Sequence, residues 1–127
     1  FFIGLMLLSG IMWEYIFKST NDNNIKFDPE GYLVSSLSEK IIDKKEFIIG
    51  RMEEHTDLTI ENKAVGKKHA KIEKNNKKFY LFDLDSKNGT FINGNKLEKY
   101  KIYEILNNDK ITFACCEYQF KIEDKRL

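Results

Sequence analysis

Two Asn-Gly pairs lie five residues apart in the stretch DLDSKNGTFINGNKL, residues 83–97, with Thr-Phe-Ile between them. An Asn-Gly pair between apolar runs is a strong signal for a tight β-turn, because both residues tolerate positive φ. Two such turns so close together leave room for only a short strand between them. The stretch therefore predicts a β-protein built from short strands.

Short β-like runs, separated by turn residues, continue along the rest of the chain. In the last run Tyr118, Phe120 and Ile122 alternate with polar residues, as in a strand with one buried face. Nothing from residue 32 onward sustains a helical period, and EKNNKK (73–78) predicts a tight turn. Short strands at this spacing indicate an all-β sandwich. The predicted strands are 32–38, 46–50, 57–60, 69–73, 78–84, 90–93, 110–114 and 117–123.

The start of the chain has a different composition. Its opening, FFIGLMLLSGIMWEYIF, is uncharged through Trp13 and apolar all round, which predicts the second half of a transmembrane helix outside the sandwich. A core-docked helix and a signal-peptide hydrophobic region are the alternatives. Because the chain begins without Met, we expect it to be part of a longer protein. The predicted organisation is a partial transmembrane helix over 1–17, a polar linker over 18–31 and one domain over 32–124.

Composition excludes several classes of protein. A hydrophobic content of 42% is sufficient for a core, and a net charge of +1 argues against a dedicated duplex-DNA binder. The two cysteines, Cys115 and Cys116, are adjacent, so we expect neither a disulfide nor a metal site. The low-Arg, Lys- and Asn-rich composition indicates an AT-rich genome, for which a bacterium is our expectation and an AT-rich eukaryote the alternative.

No motif in the chain indicates catalysis. His69 is accompanied by no carboxylate pair, Cys-His arrangement or nucleophile elbow, and a structural role in a strand explains it better. The sequence therefore predicts a binding protein that is not an enzyme and that needs no cofactor.

Three predicted loops carry the residue types of an anion site. Arg51 follows a buried strand and could present a planar guanidinium to phosphate or carboxylate, while Lys67, Lys68 and Lys87 add positive charge nearby. The Asn88 carboxamide offers both a donor and an acceptor, which suits an extended peptide backbone. Each feature also has a structural explanation. The lysines could form a solvated rim, Asn-Gly could be only a turn, and Arg51 could form surface ion pairs with Glu53, Glu54 or Asp57.

The combination of these loops resembles a forkhead-associated (FHA) domain from about Tyr32 to Ile122. The resemblance rests on Gly50-Arg51, on Gly66-Lys67-Lys68-His69 and on the run from Ser86 to Gly94. It implies a β-sandwich of about eleven strands whose loops at one end bind phosphothreonine in an extended peptide. Both Asn-Gly pairs then have separate uses, since the first belongs to the recognition loop and the second to the hairpin turn behind it.

The resemblance also implies roles for single residues. Arg51 contacts the phosphate, Lys67 lies beside it, and Lys87 occupies a position that helps to hold it. Asn88 bonds the peptide main chain near the phosphothreonine. The remaining implied roles are structural. The residues that shape the loops without contacting the ligand are Gly50, His69, Gly89 and Asn93.

Gly66 departs from the family pattern, which has a phosphate-binding Ser at this position of the site. The missing hydroxyl removes a charge-assisted hydrogen bond worth roughly 1.5–3 kcal/mol, or about ten- to a hundredfold in affinity. Lys67 and Lys87, or a backbone N–H near Gly66, could compensate. The alternative that Gly66 favours is a phosphate-independent FHA-like domain with a structural or oligomerisation role in a membrane assembly.

The main functional hypothesis is a phosphothreonine-dependent module of a membrane-anchored signalling protein. Its partner would be a phosphothreonine-containing protein or peptide, a Ser/Thr kinase or a kinase substrate. Residues 1–17 would provide the membrane contact, and the domain would face the cytoplasm, where kinases act. We expect no nucleic-acid partner, since binding of single strands through lysines and aromatics would require steep salt dependence and no phosphopeptide preference.

Overall fold

The structure is a computed structural model that describes residues 28–124. The predicted transmembrane helix and most of the predicted linker, residues 18–27, lie outside the described residues. Between residues 28 and 124 no helix has the length and hydrophobicity needed to span a bilayer. The described part contains a 3-10 turn, Glu53–His55, and eleven strands, which are β1 (Pro29–Val34), β2 (Glu39–Ile42), β3 (Glu46–Gly50), β4 (Leu58–Thr59), β5 (Ala70–Asn75), β6 (Lys78–Asp83), β7 (Thr90–Ile92), β8 (Asn95–Lys96), β9 (Tyr103–Ile105), β10 (Lys110–Phe113) and β11 (Cys116–Asp124).

The strands form two sheets. One has six strands in the order β2-β1-β11-β10-β7-β8, and the other has five in the order β4-β3-β5-β6-β9. All neighbouring strands are antiparallel except β3 and β4, which run parallel. The prediction of an all-β sandwich with about eleven strands is confirmed.

The core lies between the two sheets and is dominated by aromatic rings. Buried and partly exposed residues alternate along β1 and β5, as expected for strands with one face on the core. Phe79 of β6 and Phe120 of β11 are fully buried and meet edge to face, with ring centroids 5.1 Å apart. Because these strands belong to different sheets, the two rings join the layers. The other largest buried apolar side chains are Phe47, Phe113, Leu33, Ile49, Ile72, Leu81, Ile105 and Ile111.

The prediction of a single first strand over 32–38 is wrong. Strand β1 begins at Pro29 and ends at Val34, and a turn then leads into β2. The Ser35 hydroxyl accepts hydrogen bonds from the backbone N–H groups of Leu37 and Ser38, at 3.3 and 3.2 Å. A serine side chain that satisfies local backbone donors favours a turn over a continuing strand. The run therefore breaks where the serines cluster.

Three strands, β2, β8 and β9, were not predicted. Strand β8 has two residues and pairs only across the hairpin turn with β7. In β9, Tyr103 and Ile105 turn toward the core, but the flanking Ile102 and Leu106 are apolar as well and more than half exposed. Apolar side chains on both sides of the strand remove the alternation on which the prediction of strands depends.

Strand ends bring several loops to one end of the sandwich. Ile49 of β3 pairs with Ala70 of β5, and Ala70 pairs with Asp83 of β6. The end of β3, the start of β5 and the end of β6 therefore lie side by side. The β10–β11 turn reaches the same end, because the Ala114 N–H donates to the Gly89 carbonyl at 2.9 Å. We call the connections 51–57, 60–69 and 84–89 the recognition loops.

Candidate functional site

Arg51 is held at the start of the first recognition loop. Its backbone N–H donates to the Gly66 carbonyl at 2.9 Å, and its Nε donates to the Val65 carbonyl at 3.0 Å. Within residues 28–124 the guanidinium has no ion pair, and Asp57, one of its predicted partners, pairs instead with the Lys44 ammonium at 2.7 Å. The side chain is exposed. Its two Nη groups, with four N–H donors, are therefore oriented by the Nε bond and open to an anion.

Gly50 allows the backbone of β3 to approach the second loop closely. A Cβ at this position would lie 2.2 Å from the Lys67 carbonyl oxygen, far inside van der Waals contact. The Met52 N–H donates to that same oxygen at 3.2 Å. The glycine thus sets the spacing between the Arg51 backbone and the loop that contains Lys67.

His69 is fully buried and connects two recognition loops through its ring. Nδ1 accepts a hydrogen bond from the Gly66 N–H at 2.9 Å, and Nε2 lies 2.9 Å from the Gly89 carbonyl oxygen. A carbonyl only accepts, so Nε2 donates and the ring is the neutral Nε2–H tautomer. Phe113 contacts the ring edge to face, with centroids 6.0 Å apart. This burial places His69 behind the loops and away from any ligand.

A larger residue at position 66 could place a Cβ there without clashing with neighbouring atoms. The nearest atom to a Cβ built at this position is His69 Nδ1 at 3.6 Å, an ordinary contact. The Gly66 N–H is already committed to His69, so this amide is not available to compensate for the missing hydroxyl. The side chains of Lys67 and Lys87, which were also considered as compensating groups, form no ion pair with the described residues.

The second and third recognition loops are joined through Asn88. Its Nδ2 donates to the Ala64 carbonyl at 2.8 Å, while Oδ1 has no hydrogen-bond partner among residues 28–124 and can accept one from a ligand. Lys67, Lys68 and Lys87 are exposed. None of these three lysines forms an ion pair within the described residues. The result is a cationic surface beside Arg51 on loops that are hydrogen-bonded to one another.

Gly89 and Asn93 occupy different parts of the fold. Gly89 has a φ of 89°, and a Cβ there would lie 3.1 Å from the Phe91 ring. Asn93 forms the β7–β8 turn with Gly94, at φ values of 51° and 85°. Its carboxamide donates to Asp109 Oδ1 at 3.0 Å and accepts from the Lys110 N–H at 2.8 Å. Asn93 therefore braces the β9–β10 connection and makes no hydrogen bond to a recognition loop.

Asp83 is a structural residue of the site that was not identified from the sequence. Its buried carboxylate accepts from the Thr90 hydroxyl at 2.6 Å, from the Ser86 N–H at 3.0 Å and from the Ser86 hydroxyl. These bonds close the third loop on itself just before Lys87. The signal was present as Asp at a strand end with Ser three residues later, a pattern in which side chains satisfy local backbone groups.

The described residues contain no group of three or more His, Cys, Asp or Glu side chains suited to a metal ion. The two thiols, Cys115 and Cys116, are free, with their sulfur atoms 4.0 Å apart. Burial raises the pKa of the Cys116 thiol, and Cys115 adds to this shift.

Known proteins resemble this chain in sequence. The FHA domain family model matches residues 47–114. A probable serine/threonine-protein kinase of Dictyostelium discoideum is 37% identical over 97 residues, covering 64% of this chain and 6% of the kinase. The human nuclear inhibitor of protein phosphatase 1 is 30% identical over 93 residues, covering 70% of this chain and 26% of that protein. This chain thus spans a small part of both relatives.

Solved structures share the fold. Mycobacterium tuberculosis EmbR in complex with a low-affinity phosphopeptide has a TM-score of 0.68 at 22% identity, over 74% of this chain and 24% of EmbR. The MEK1 FHA domain in complex with a HOP1 phosphothreonine peptide has a TM-score of 0.66 at 25% identity, over 74% of this chain and 97% of that domain.

Proposed function

Since this chain belongs to the FHA domain family, we propose that its recognition loops bind phosphothreonine in an extended peptide. The observation that carries the proposal is the state of Arg51, whose guanidinium is oriented by Val65, exposed, and without an ion pair in the described part of the chain. An exposed Arg without a carboxylate partner is suited to bidentate contact with phosphate. The phosphopeptide complexes of EmbR and the MEK1 FHA domain support the same assignment.

Each side chain has a distinct role in this proposal. Arg51 binds phosphate oxygens through Nη, and Lys67 and Lys87 contribute positive charge to a group that carries about −1.5 to −2. Asn88 accepts a hydrogen bond from the peptide main chain with Oδ1 while Nδ2 stays bonded to Ala64. Gly66 contributes backbone alone, so we expect modest affinity.

The test is a titration of the full chain with a degenerate phosphothreonine peptide library and with its unphosphorylated counterpart. We expect phosphate-dependent binding that is lost in Arg51→Ala and weakened in Arg51→Lys, which keeps the charge but not the planar guanidinium. Lys78→Ala, at the opposite end of β6, is the control and should bind like the wild type. Equal binding of both libraries would refute the proposal.

Gly66 favours a second candidate function, a phosphate-independent structural or oligomerisation domain. The chain lacks a hydroxyl at this position, and the Gly66 amide is already bonded to His69. If this function is the correct one, partner association or self-association should survive Arg51→Ala almost unchanged. The phosphopeptide function predicts that association is abolished, so the same variant separates the two.

The partner and the location belong to the same proposal. We propose that a Ser/Thr kinase generates the ligand, and that residues 1–17 hold the domain at the cytoplasmic face of a membrane. The support for the membrane is the uncharged run through Trp13. Replacing residues in this run with lysine should release the protein from membranes in alkaline extraction. Unchanged fractionation would contradict the anchor.

A further inference from the structure

The segment that contains β9 exposes apolar side chains to solvent. Among residues 28–124, four large apolar or aromatic side chains are more than half exposed, and three of them lie in this segment. They are Tyr100 at 64%, Ile102 at 55% and Leu106 at 57%. Tyr100 also has a φ of 61°, which is unfavourable for a bulky side chain. Exposed apolar groups concentrated in one place indicate an interaction surface.

The outer side of β9 is formed by alternate residues of the segment. Tyr103 and Ile105 pack toward the core. Because successive side chains of a strand point to opposite faces, Ile102, Glu104 and Leu106 lie on the outer face of the five-stranded sheet. We call these three residues the β9 face. It consists of two exposed apolar groups with one carboxylate between them.

Strand β6 extends the β9 face with two partly exposed aromatic rings. Tyr80 pairs with Glu104, and Phe82 lies two residues further along the same side of β6. The Lys71 ammonium lies 5.1 Å from the centre of the Phe82 ring and 2.8 Å from the Glu73 carboxylate. The charge of Lys71 is therefore engaged within the sheet, and the surface beside the β9 face is largely apolar.

Strand β9 has a free edge. In the described part of the chain it is the last strand of its sheet and pairs only with β6. An edge strand presents unpaired backbone N–H and C=O groups, to which an extended segment can be added. Side chains of an added strand would lie about 5 Å from those of the β9 face. The exposed cation Lys78 lies on β6, roughly 10 Å away, so Glu104 is the charge that the added strand meets.

The charge of Glu104 decides what kind of strand fits this edge. Glu104 is exposed and has no ion pair within residues 28–124. A second copy of β9, antiparallel with Ile102 opposite Leu106, would place Glu104 opposite Glu104. Like charges directly opposite destabilise a strand pair. A Lys or Arg opposite Glu104 replaces this repulsion with attraction, and apolar residues two positions to either side of it meet Ile102 and Leu106.

From this arrangement we infer that β9 is a second binding site of the domain. An extended segment of a partner protein adds to its edge as a strand, with a basic residue between two apolar residues on the outer face. The site requires no phosphate, so the inference goes beyond the proposed function and does not depend on it.

The experiment titrates the isotope-labelled full chain with three capped peptides, followed by the NMR shifts of its backbone amides. Each peptide contains Ile-Thr-Xaa-Thr-Ile, where Xaa is Lys, Ser or Glu and shares one face with both Ile residues. We expect shifts concentrated in residues 100–106, and binding of the Lys peptide roughly two- to tenfold tighter than that of the Glu peptide.

Variants test the two parts of the β9 face. Glu104→Lys should reverse the order of the Lys and Glu peptides. Glu39→Lys is the matched control, since it makes the same charge change on β2, the edge strand of the other sheet, and should leave the order unchanged. Ile102→Thr combined with Leu106→Thr should weaken binding of all three peptides. Urea denaturation should show that this variant remains folded, because both side chains are exposed.

Arg51→Ala should bind the Lys peptide like the wild type, which separates this site from phosphopeptide recognition. Loss of binding in that variant would place the peptide in the recognition loops and overturn the inference. Equal affinities for the Lys and Glu peptides, or no shifts in residues 100–106, would overturn it as well. So would a dimer that the two threonine substitutions dissociate, because a second copy would then occupy the edge.

Discussion

Gly50 and Gly66 lie at the same junction of loops, yet a side chain has opposite consequences at the two positions. At Gly50 a Cβ would meet the Lys67 carbonyl oxygen at 2.2 Å, whereas at Gly66 the closest atom is 3.6 Å away. Backbone proximity therefore requires glycine at the first position but not at the second. At position 66 the chain therefore lacks the hydroxyl of the family pattern, although a side chain would fit there.

Gly66→Ser should strengthen phosphopeptide binding. The new hydroxyl fits without displacing His69 and can donate to a phosphate oxygen, a charge-assisted bond worth roughly 1.5–3 kcal/mol. We expect about ten- to a hundredfold tighter binding, with a free energy of unfolding within about 0.5 kcal/mol of wild type. Titration and urea denaturation measure the two quantities. If Gly66→Ser also tightened binding of the unphosphorylated peptide, the gain in affinity would not come from a hydrogen bond to phosphate.

Gly50→Ala should destabilise the fold by about 3 kcal/mol or more, because the backbone of β3 or of the second loop must move. Gly94→Ala is the comparison, since a Cβ there meets nothing within 4 Å and only the φ of 85° opposes it. That variant should lose about 1 kcal/mol. Equal losses in chemical denaturation would show that close approach at Gly50 is unimportant.

At the level of elements, the β3–β4 connection is held by one carboxylate. Asp57 Oδ2 accepts the Ile48 N–H at 2.8 Å, and Oδ1 accepts the Lys44 ammonium at 2.7 Å. Burial raises the pKa of the Asp57 carboxyl, but the bonds from Ile48 and Lys44 outweigh it and leave the pKa below its usual value. The charged form therefore stabilises the folded connection.

This carboxylate gives stability a defined dependence on pH. A folded-state pKa below the unfolded value of about 3.9 contributes stability that is complete above about pH 5 and is lost as the pH falls through the folded-state pKa. Asp57→Asn should lower the free energy of unfolding by about 1 kcal/mol at pH 7 and by much less near pH 2. Urea denaturation at both values measures this.

Asp43→Asn provides the control for that experiment, since Asp43 is exposed and also close to Lys44. It removes the same charge without removing a hydrogen bond to β3. A loss as large as that in Asp57→Asn would mean that net charge, and not the bond to Ile48, determines the effect.

At the scale of the whole molecule, the sandwich depends on contacts between its two sheets. Phe79 and Phe120 come from different sheets and meet edge to face at an interplanar angle of 64°. Gly31 of β1 lies against both rings, where a Cβ would be 2.8 and 2.9 Å from their atoms. Three strands from two sheets therefore share one contact.

A double-mutant cycle measures that contact. Phe79→Leu and Phe120→Leu should each lower the free energy of unfolding by about 1–2 kcal/mol. The double variant should lose about 0.5–1.5 kcal/mol less than the sum of the two single losses. Each single variant already removes the contact between the two rings, so the second substitution cannot remove it again. Additive losses would mean that the rings act only as separate buried groups.

The sandwich and its tight turns were predictable because they depend on local chemistry. Alternating apolar residues indicate the buried face of β11 and Asn-Gly favours the β7–β8 turn, without reference to distant residues. Strand β9 was missed for the opposite reason. Its pairing with β6 is a long-range contact, and the apolar Ile102 and Leu106 conceal which face is buried.

What the sequence by itself determined was the fold class, the recognition loops and the residue types in them. Only the tertiary structure decided how those residues are used. Among residues 28–124 it left Arg51 without an ion pair, directed the Gly66 N–H to His69, and joined Asn88 to Ala64. The reason is physical, since hydrogen bonds and ion pairs act over a few ångströms, and residues 20 positions apart, such as His69 and Gly89, come that close only when the sheets have formed.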